Sequence, residues 1–364
     1  MNQRKRLRDF GVTPGRLPAG NINAITDVPG VKVGHVTLIS GEGALKQGEG
    51  PIRTGVTAVL PHDGNLFREK VSAGVCTING FGKATGFEQI RERGVIETPI
   101  LMTNTLNIGR VSDALIGYML RQNPDIGLKT GTVNPIVGEC NDGFLNDLRG
   151  RHVREEHVWA AIEGASGGAV QEGNVGAGTG TACYQFKGGI GTSSRVVLDG
   201  RYTVGALVQT NHGLRPELMV LGVPLGQHLL EEYLPQPGPG SIIMVLATDA
   251  PLDSRQLTRL AMRATFGLAR TGTISQDGSG DFVIAFSTAN RWQHEPAEVT
   301  ETVTRFTESG KVIDEFFLAA VEAVEEAILN ALVAAETMTG RDSNTLYALP
   351  HDALAHWLDY YRRR

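Results

Sequence analysis

Gly240-Ser241 is the dipeptide at which this 364-residue chain could do chemistry on itself. It stands between a breaker-rich segment, Pro235-Gln236-Pro237-Gly238-Pro239, and the apolar run Ile242-Ile243-Met244-Val245-Leu246-Ala247. Proline removes amide donors and glycine is unconstrained, so the first segment can continue neither helix nor sheet. The run is short and partly β-branched and reads as a strand buried on both faces, with Ser241 as its first residue; periodicity alone leaves a buried helical segment open. Were the bond cut, Ser241 would carry a free α-amine beside its own hydroxyl. Such an amine titrates near pH ~7.7–8.0, so at neutral pH it can act as base for the adjacent nucleophile. The same pattern fits an inter-lobe linker in an uncut two-lobed binding protein, since Gly, Pro and Ser clusters make ordinary loops.

Four further polar residues sit at turn-to-strand junctions where side chains can converge: Glu139, Asn211, Ser279 and Asp281. Each alone is an ordinary turn or cap residue, because Asn, Asp and Ser bond to nearby backbone in such places. As a set with Ser241 they offer a nucleophile, a second hydroxyl, two carboxylates and an amide donor. Metal chemistry is not expected. His152 with His157, and His351 with His356, are five apart, which puts the partners off a shared helical face. Glu172 to Thr181 is glycine-rich but lacks the lysine of a phosphate loop, so its glycines are read as points of close backbone approach and no cofactor is expected.

The elements that must position these residues are short. Strands are expected at Val31 to Ile39, Gly55 to Leu60, Val71 to Ile78, Pro99 to Thr103, Thr132 to Cys140 and Phe282 to Phe286. A hairpin turns at Asp199-Gly200 between Arg195–Leu198 and Tyr202–Gln209. Thr85-Gly86-Phe87-Glu88 resembles a capping box opening a helix that stops at Gly94, and Asp253 with Gln256 another. Apolar residues at helical spacing mark helices through Ile108–Met119, Val158–Ala165, Leu257–Leu268 and Phe317–Ala335, and Pro350 precedes a last one. Several antiparallel-capable strands with helices outside them make an α+β sandwich.

Composition narrows the rest. With 41% apolar residues, 20% charged and a net charge of -5, the chain lacks the basic face that nucleic acid or a membrane surface would favour. Three widely spaced cysteines, Cys76, Cys140 and Cys183, read as reduced structural thiols, and with no secretory signal after the basic start the expected location is cytoplasmic.

The chain resembles the aminopeptidases that include L-aminopeptidase D-esterase/D-aminopeptidase and the β-peptidyl aminopeptidases. The resemblance rests on Gly240-Ser241 with its apolar run, Gly278-Ser279-Gly280-Asp281, Asn21 to Val31, Glu139-Cys140-Asn141-Asp142-Gly143, Glu172 to Thr181 and Val208-Gln209-Thr210-Asn211. It implies a four-layer αββα sandwich of the N-terminal-nucleophile type. The precursor would cut itself at Gly240-Ser241 into an α chain of residues 1–240 and a β chain of 241–364, both of a single domain. Ser241 then corresponds to the nucleophile, Ser279 and Asp281 to the pair that assists it, Asn211 to an oxyanion donor and Glu139 to the group that binds the substrate's free amine. Asp281 stands where the β-peptide enzymes carry Glu, and Asn141, in the substrate-binding region, stands where a close relative has a Tyr. The resemblance also implies a homo-oligomer and small peptide, amide or ester substrates. Ornithine acetyltransferases look like distant relatives of the same self-cleaving design, with Thr in place of Ser241.

Overall fold

The apolar run after Ser241 is the strand Ile242–Thr248, and all of it is buried. Ile242, Met244 and Leu246 face one core, and Ile243, Val245 and Ala247 face another. A strand covered on both sides needs apolar residues at every position, which is why the run does not alternate. The computed structural model describes residues 5–233, 237–238, 240–308 and 310–363; Pro235, Gln236 and Pro239 of the breaker segment lie outside the described residues.

In chain order the strands are Lys32–Ser40 (β1), Ile52–Leu60 (β2), Glu69–Gly80 (β3), Val95–Ile96 (β4), Ile100–Asn104 (β5), Ile136–Cys140 (β6), Ala182–Cys183 (β7), Phe186–Lys187 (β8), Ile190–Val197 (β9), Tyr202–Thr210 (β10), Ile242–Thr248 (β11) and Gly280–Gln293 (β12). The helices are Phe87–Arg93 (α1), Ile108–Gln122 (α2), Glu155–Glu163 (α3), Ser254–Arg270 (α4), Gly310–Ala334 (α5) and His351–Arg362 (α6). One sheet runs β1-β2-β5-β6 and the other β4-β3-β12-β11-β10-β9. Their inner faces meet through Val33, Val59, Ile100 and Ile136 on one side and Val75, Leu207, Ile243 and Ile284 on the other. Outside the smaller sheet, α2 and α3 pack Leu115, Val158 and Ile162 onto Val56, Leu101 and Val137. Outside the larger, α4 and α5 pack Leu257, Leu260, Val324 and Ile328 onto Val208, Met244 and Val283. The layers are therefore α, β, β, α, the expected sandwich.

Strands from both sides of Gly240-Ser241 lie next to each other, since β10 pairs antiparallel with β11. The seam is thus not a joint between two lobes. Two strand pairs, β5–β6 and β11–β12, are parallel, with α2 and α4 as their crossovers. The antiparallel expectation missed both, because strand direction is set by the connecting helix and leaves no mark in the strand itself.

Local signals fared unequally. Asp253 and Gln256 form the reciprocal cap of α4: Asp253 Oδ1 accepts the Gln256 N–H at 2.8 Å and Gln256 Oε1 accepts the Asp253 N–H at 2.9 Å. Thr85 caps nothing. Its hydroxyl donates to Pro135 O and accepts from Val137 N–H, stitching the chain to β6, while Gly86 occupies the N-cap of α1. β6 itself begins at Ile136, after Pro135, rather than at Thr132. The Glu172–Thr181 glycines do serve close approach: a Cβ on Gly178 would stand 2.5 Å from Ile190 N.

The long helix α5 buries Glu322, Glu326 and Asn330, against the expectation of one apolar face. The N-terminal segment covers them. Arg195 of β9, fully buried, pairs with Glu322 at 3.2 Å and Glu326 at 2.7 Å, and Arg8 forks onto both Glu326 oxygens at 2.7 and 2.9 Å. Burial alone would raise the Glu326 carboxyl, but the hydrogen bond from Arg8 and the charge of Arg195 outweigh it and hold it below its ordinary 4.5. A depressed value stabilises the fold above the ordinary value and is lost as pH falls through the folded one. Glu326→Gln should cost about 3–5 kcal/mol in urea unfolding at pH 7. The gap to the native chain should narrow as the pH is taken below 4.5.

Candidate active site

The sheet register brings the candidate residues to one place. Ile242 of β11 lies beside Asp281 of β12 and across from Thr210 of β10, and Gly280 lies across from Gly80 of β3. One step further along the antiparallel pair, Asn211 faces Ser241. Side chains alternate along a strand, so Ser241 shares the parity of Ile243 and Val245 and points between the sheets. The common end of four neighbouring strands thus carries Gly80, Gly280, Ser241 and Asn211. Ser241 lies just before its strand rather than as its first residue, leaving its backbone free of the ladder.

The contacts there are short and directional. Ser241 Oγ accepts the Gly280 N–H at 3.1 Å. Ser279 Oγ donates to Asp281 Oδ1 at 2.6 Å and also lies on the Gly240 carbonyl oxygen. The other Asp281 oxygen takes the Ser275 hydroxyl. Burial raises the Asp281 carboxyl, and the two serine hydroxyls work in the opposite direction without cancelling the rise. Asn211 Oδ1 accepts the Ala182 N–H at 3.0 Å, which fixes the amide and turns Nδ2 toward Gly240. A Cβ at position 240 would stand 2.2 Å from both Asn211 Nδ2 and Asn211 O, so only glycine fits beside that donor.

Glu139 approaches from the facing sheet. It is the last residue but one of β6 and is almost wholly buried, and its neighbour Cys140 donates its thiol to Ser241 O at 3.4 Å, tying the two sheets together at the site. Burial pushes that thiol up, so it stays protonated and structural. Glu139 Oε1 accepts from the Lys83 N–H at 3.1 Å and from Lys83 Nζ at 3.0 Å. Among the described residues no donor reaches Oε2. Asn141 lines the same cleft but is exposed, and its Oδ1 accepts the Gly143 N–H of its own turn at 2.9 Å. The cleft, about 1020 Å³, is walled by Phe81, Lys83, Glu139, Asn141, Asn211 and Ser241 among others. It is large enough for a short peptide.

Three participants escaped the sequence reading. Ser275 supplies a hydroxyl to Asp281, and Asn79 Nδ2 holds the 276–279 turn through the carbonyls of Gln276, Asp277 and Ser279 at 3.0, 2.9 and 2.5 Å. Lys83 pairs with Glu139. A signal existed only for Ser275, six residues before Asp281 in the same turn; Asn79 and Lys83 come from a distant strand end that only the sheet order reveals.

Chemically, this is a hydroxyl beside a glycyl carbonyl, with a second hydroxyl on that carbonyl oxygen, an amide donor beside the glycine and a half-satisfied carboxylate across the cleft. The chain is 48% identical to the beta-peptidyl aminopeptidase BapA of Sphingosinicella microcystinivorans, over 98% of this chain and 93% of that one. The BapA of Sphingosinicella xenopeptidilytica is 43% identical over 96% of this chain and 90% of its own. Among solved structures, a Pyrococcus horikoshii protein superposes with a TM-score of 0.93 at 53% identity, covering 98% of this chain and 99% of that one. The Ochrobactrum anthropi L-aminopeptidase D-Ala-esterase/amidase, described as a serine aminopeptidase and a new variant of the Ntn hydrolase fold, superposes at 0.90 with 43% identity over the same shares. The profile of peptidase family S58 matches residues 23–346, and it is to this family that the chain belongs.

Proposed function

We propose that this chain is a serine aminopeptidase that matures by cutting its own Gly240-Ser241 bond, leaving residues 1–240 and 241–364 as two chains of one folded unit. The observation that carries this reading is the convergence of Ser241, Ser279 and Asn211 on Gly240, with the free oxygen of Glu139 in the same cleft. In the precursor Ser241 Oγ attacks the Gly240 carbonyl carbon and the C–N bond breaks, giving an ester that water hydrolyses. The Ser279 hydroxyl and the Asn211 amide polarise the carbonyl that is attacked. Glycine suits that residue because it tolerates the strained backbone the shift demands.

In the mature enzyme the Ser241 hydroxyl attacks the carbonyl that follows the substrate's first residue. Its proton passes to the new α-amine or to Ser279, and from there to the departing amine. Asn211 Nδ2 stabilises the oxyanion, and Asp281 orients Ser279. Oε2 of Glu139 receives the substrate's ammonium, which makes the enzyme an exopeptidase. Its substrates are peptides, amides or esters that begin with a free amine, on D-, L- or β-residues. Asn141 lines the cleft and belongs to its substrate-binding wall. Cys76, Cys140 and Cys183 are free thiols, which supports a reducing, cytoplasmic setting, and the family resemblance supports a homo-oligomer of αβ units. No helix among the described residues is long and apolar enough to cross a membrane.

On denaturing gels Ser241→Ala should migrate as one 39.0 kDa band without activity, while the native chain gives two bands in the ratio of 240 to 124 residues. A mutant that is still cut would end the self-cleavage reading. N-acetylated peptide amides should be hydrolysed at least roughly tenfold more slowly than free-amine ones, since they leave Glu139 unpaired; equal rates would contradict its role. Asn211→Ala should lower kcat by about 10² to 10³, read on whatever fraction of the variant is cut.

A further inference from the structure

Glu139 is not alone at the position where a substrate's amine would dock. Lys83 reaches it twice, through its backbone N–H and through Nζ, and Nζ also donates to Thr105 Oγ1 at 3.0 Å. An ammonium has three N–H donors, so one remains. The Lys83 side chain is 50% exposed and lines the cleft, whereas the Glu139 side chain is 3% exposed. A free carboxylate oxygen and a free ammonium proton therefore sit side by side, joined by a 3.0 Å ion pair, and face the same space. Arg341, which lines the same cleft, is committed to Gly143 O at 2.7 Å and to Asp342 at 3.1 Å.

A cation beside the amine acceptor is the reverse of what an acceptor for a simple amine needs, because two ammonium groups must then share one carboxylate. The arrangement suits a substrate head that carries both charges. An ammonium and a carboxylate on one carbon can pair with Glu139 and Lys83 in a closed four-charge ring, each charge next to its opposite. In an ordinary peptide the carbon that bears the amine bears no free carboxylate, since its carboxyl is the scissile carbonyl. It does bear one in a β-linked aspartyl peptide. There the amide is made through the side chain, and the amine stands on the second carbon from the scissile carbonyl, the spacing of a β-amino acid.

Resting on the aminopeptidase reading of this site, we infer that Lys83 is a specificity-determining residue and that β-aspartyl peptides are substrates. Ser241 Oγ forms an ester with the side-chain carbonyl of the aspartyl residue, the C–N bond of the isopeptide breaks, and the proton released from the hydroxyl goes to the departing amine. Water then cleaves the ester and frees aspartate.

The test compares three dipeptides on the mature enzyme by release of leucine: β-aspartyl-leucine, 3-aminobutyryl-leucine, in which a methyl group replaces the carboxylate, and β-alanyl-leucine. The native enzyme should cleave the first with a kcat/KM at least equal to that of the second. Lys83→Met should lower the ratio of first to second by at least roughly tenfold, the size of one charge-assisted hydrogen bond, and Lys83→Arg should restore part of it. The ratio is internal to each preparation, so a variant that folds or matures poorly still reports. Cleavage of the second and third dipeptides with the first more than tenfold slower would overturn this inference and leave the aminopeptidase standing, as would an unchanged ratio in Lys83→Met. Failure to cleave any of the three would overturn this inference, and if L- and D-residue amides were left intact as well, the aminopeptidase reading would fall with it.

Discussion

The parallel register of β11 against β12 is the constraint on which the site depends. It sets Asp281 beside Ile242, and so carries the Ser279-Gly280 turn onto Ser241. A slip of one residue would invert every side chain of the strand, yet β11 is apolar on both faces and its own pattern would not resist the slip. Resistance comes from outside the strand. The reciprocal cap at Asp253 and Gln256 fixes where the crossover helix starts. Beyond that helix, the Tyr184 hydroxyl bonds Thr271 at 2.7 Å and accepts the Thr273 N–H at 3.1 Å, and Asn79 holds the turn that follows. The two serines meet because a helix and a loop have been cut to length between them.

Two buried carboxylates differ in how completely their oxygens are served. Glu326 has its oxygens covered by the Arg8 fork, Arg195 and the Asn23 amide at 2.6 Å. Its partners are guanidinium groups, planar and held in place, and nothing is left for a ligand. Glu139 has one oxygen served and one not, and its partner is a half-exposed lysine on a flexible stem. A buried charge left half-paired is costly for stability alone, and under the proposed function its open oxygen is the one that takes the substrate's amine.

The sandwich was legible in the sequence because its long helices and short strands each carry their own periodicity, and the motifs at Gly240-Ser241 and Gly278 to Asp281 kept their spacing. Glu139 and Asn211 were legible too, as polar residues at the ends of apolar runs. What was hidden depends on relations between distant segments. The burial of Glu322 and Glu326 follows from the N-terminal segment lying over α5, the parallel pairs from the crossovers, and the Lys83–Glu139 pair from β3 ending opposite β6. Thr85 misled because a threonine three residues before a glutamate has the composition of a cap, while its hydroxyl found two backbone partners on a neighbouring strand instead.

Ser279 is where geometry and proton count together restrict the chemistry. Its hydroxyl has one proton and two acceptors, Gly240 O and Asp281 Oδ1. With Asp281 ionised, the carboxylate is the stronger acceptor and competes for that proton. With Asp281 protonated, which burial favours, the carboxyl donates to Ser279 and the Ser279 proton is free for the glycyl carbonyl. Aspartate, one methylene shorter than glutamate, keeps this carboxyl within the turn that carries Ser279, where Ser275 closes its second oxygen. Under the self-cleaving scheme, loss of the Gly240 carbonyl removes one of the two acceptors, and a substrate carbonyl then enters the position it left. In that scheme the same hydroxyl would face first the chain's own peptide bond and then a substrate's, so that one arrangement would suffice for maturation and for turnover.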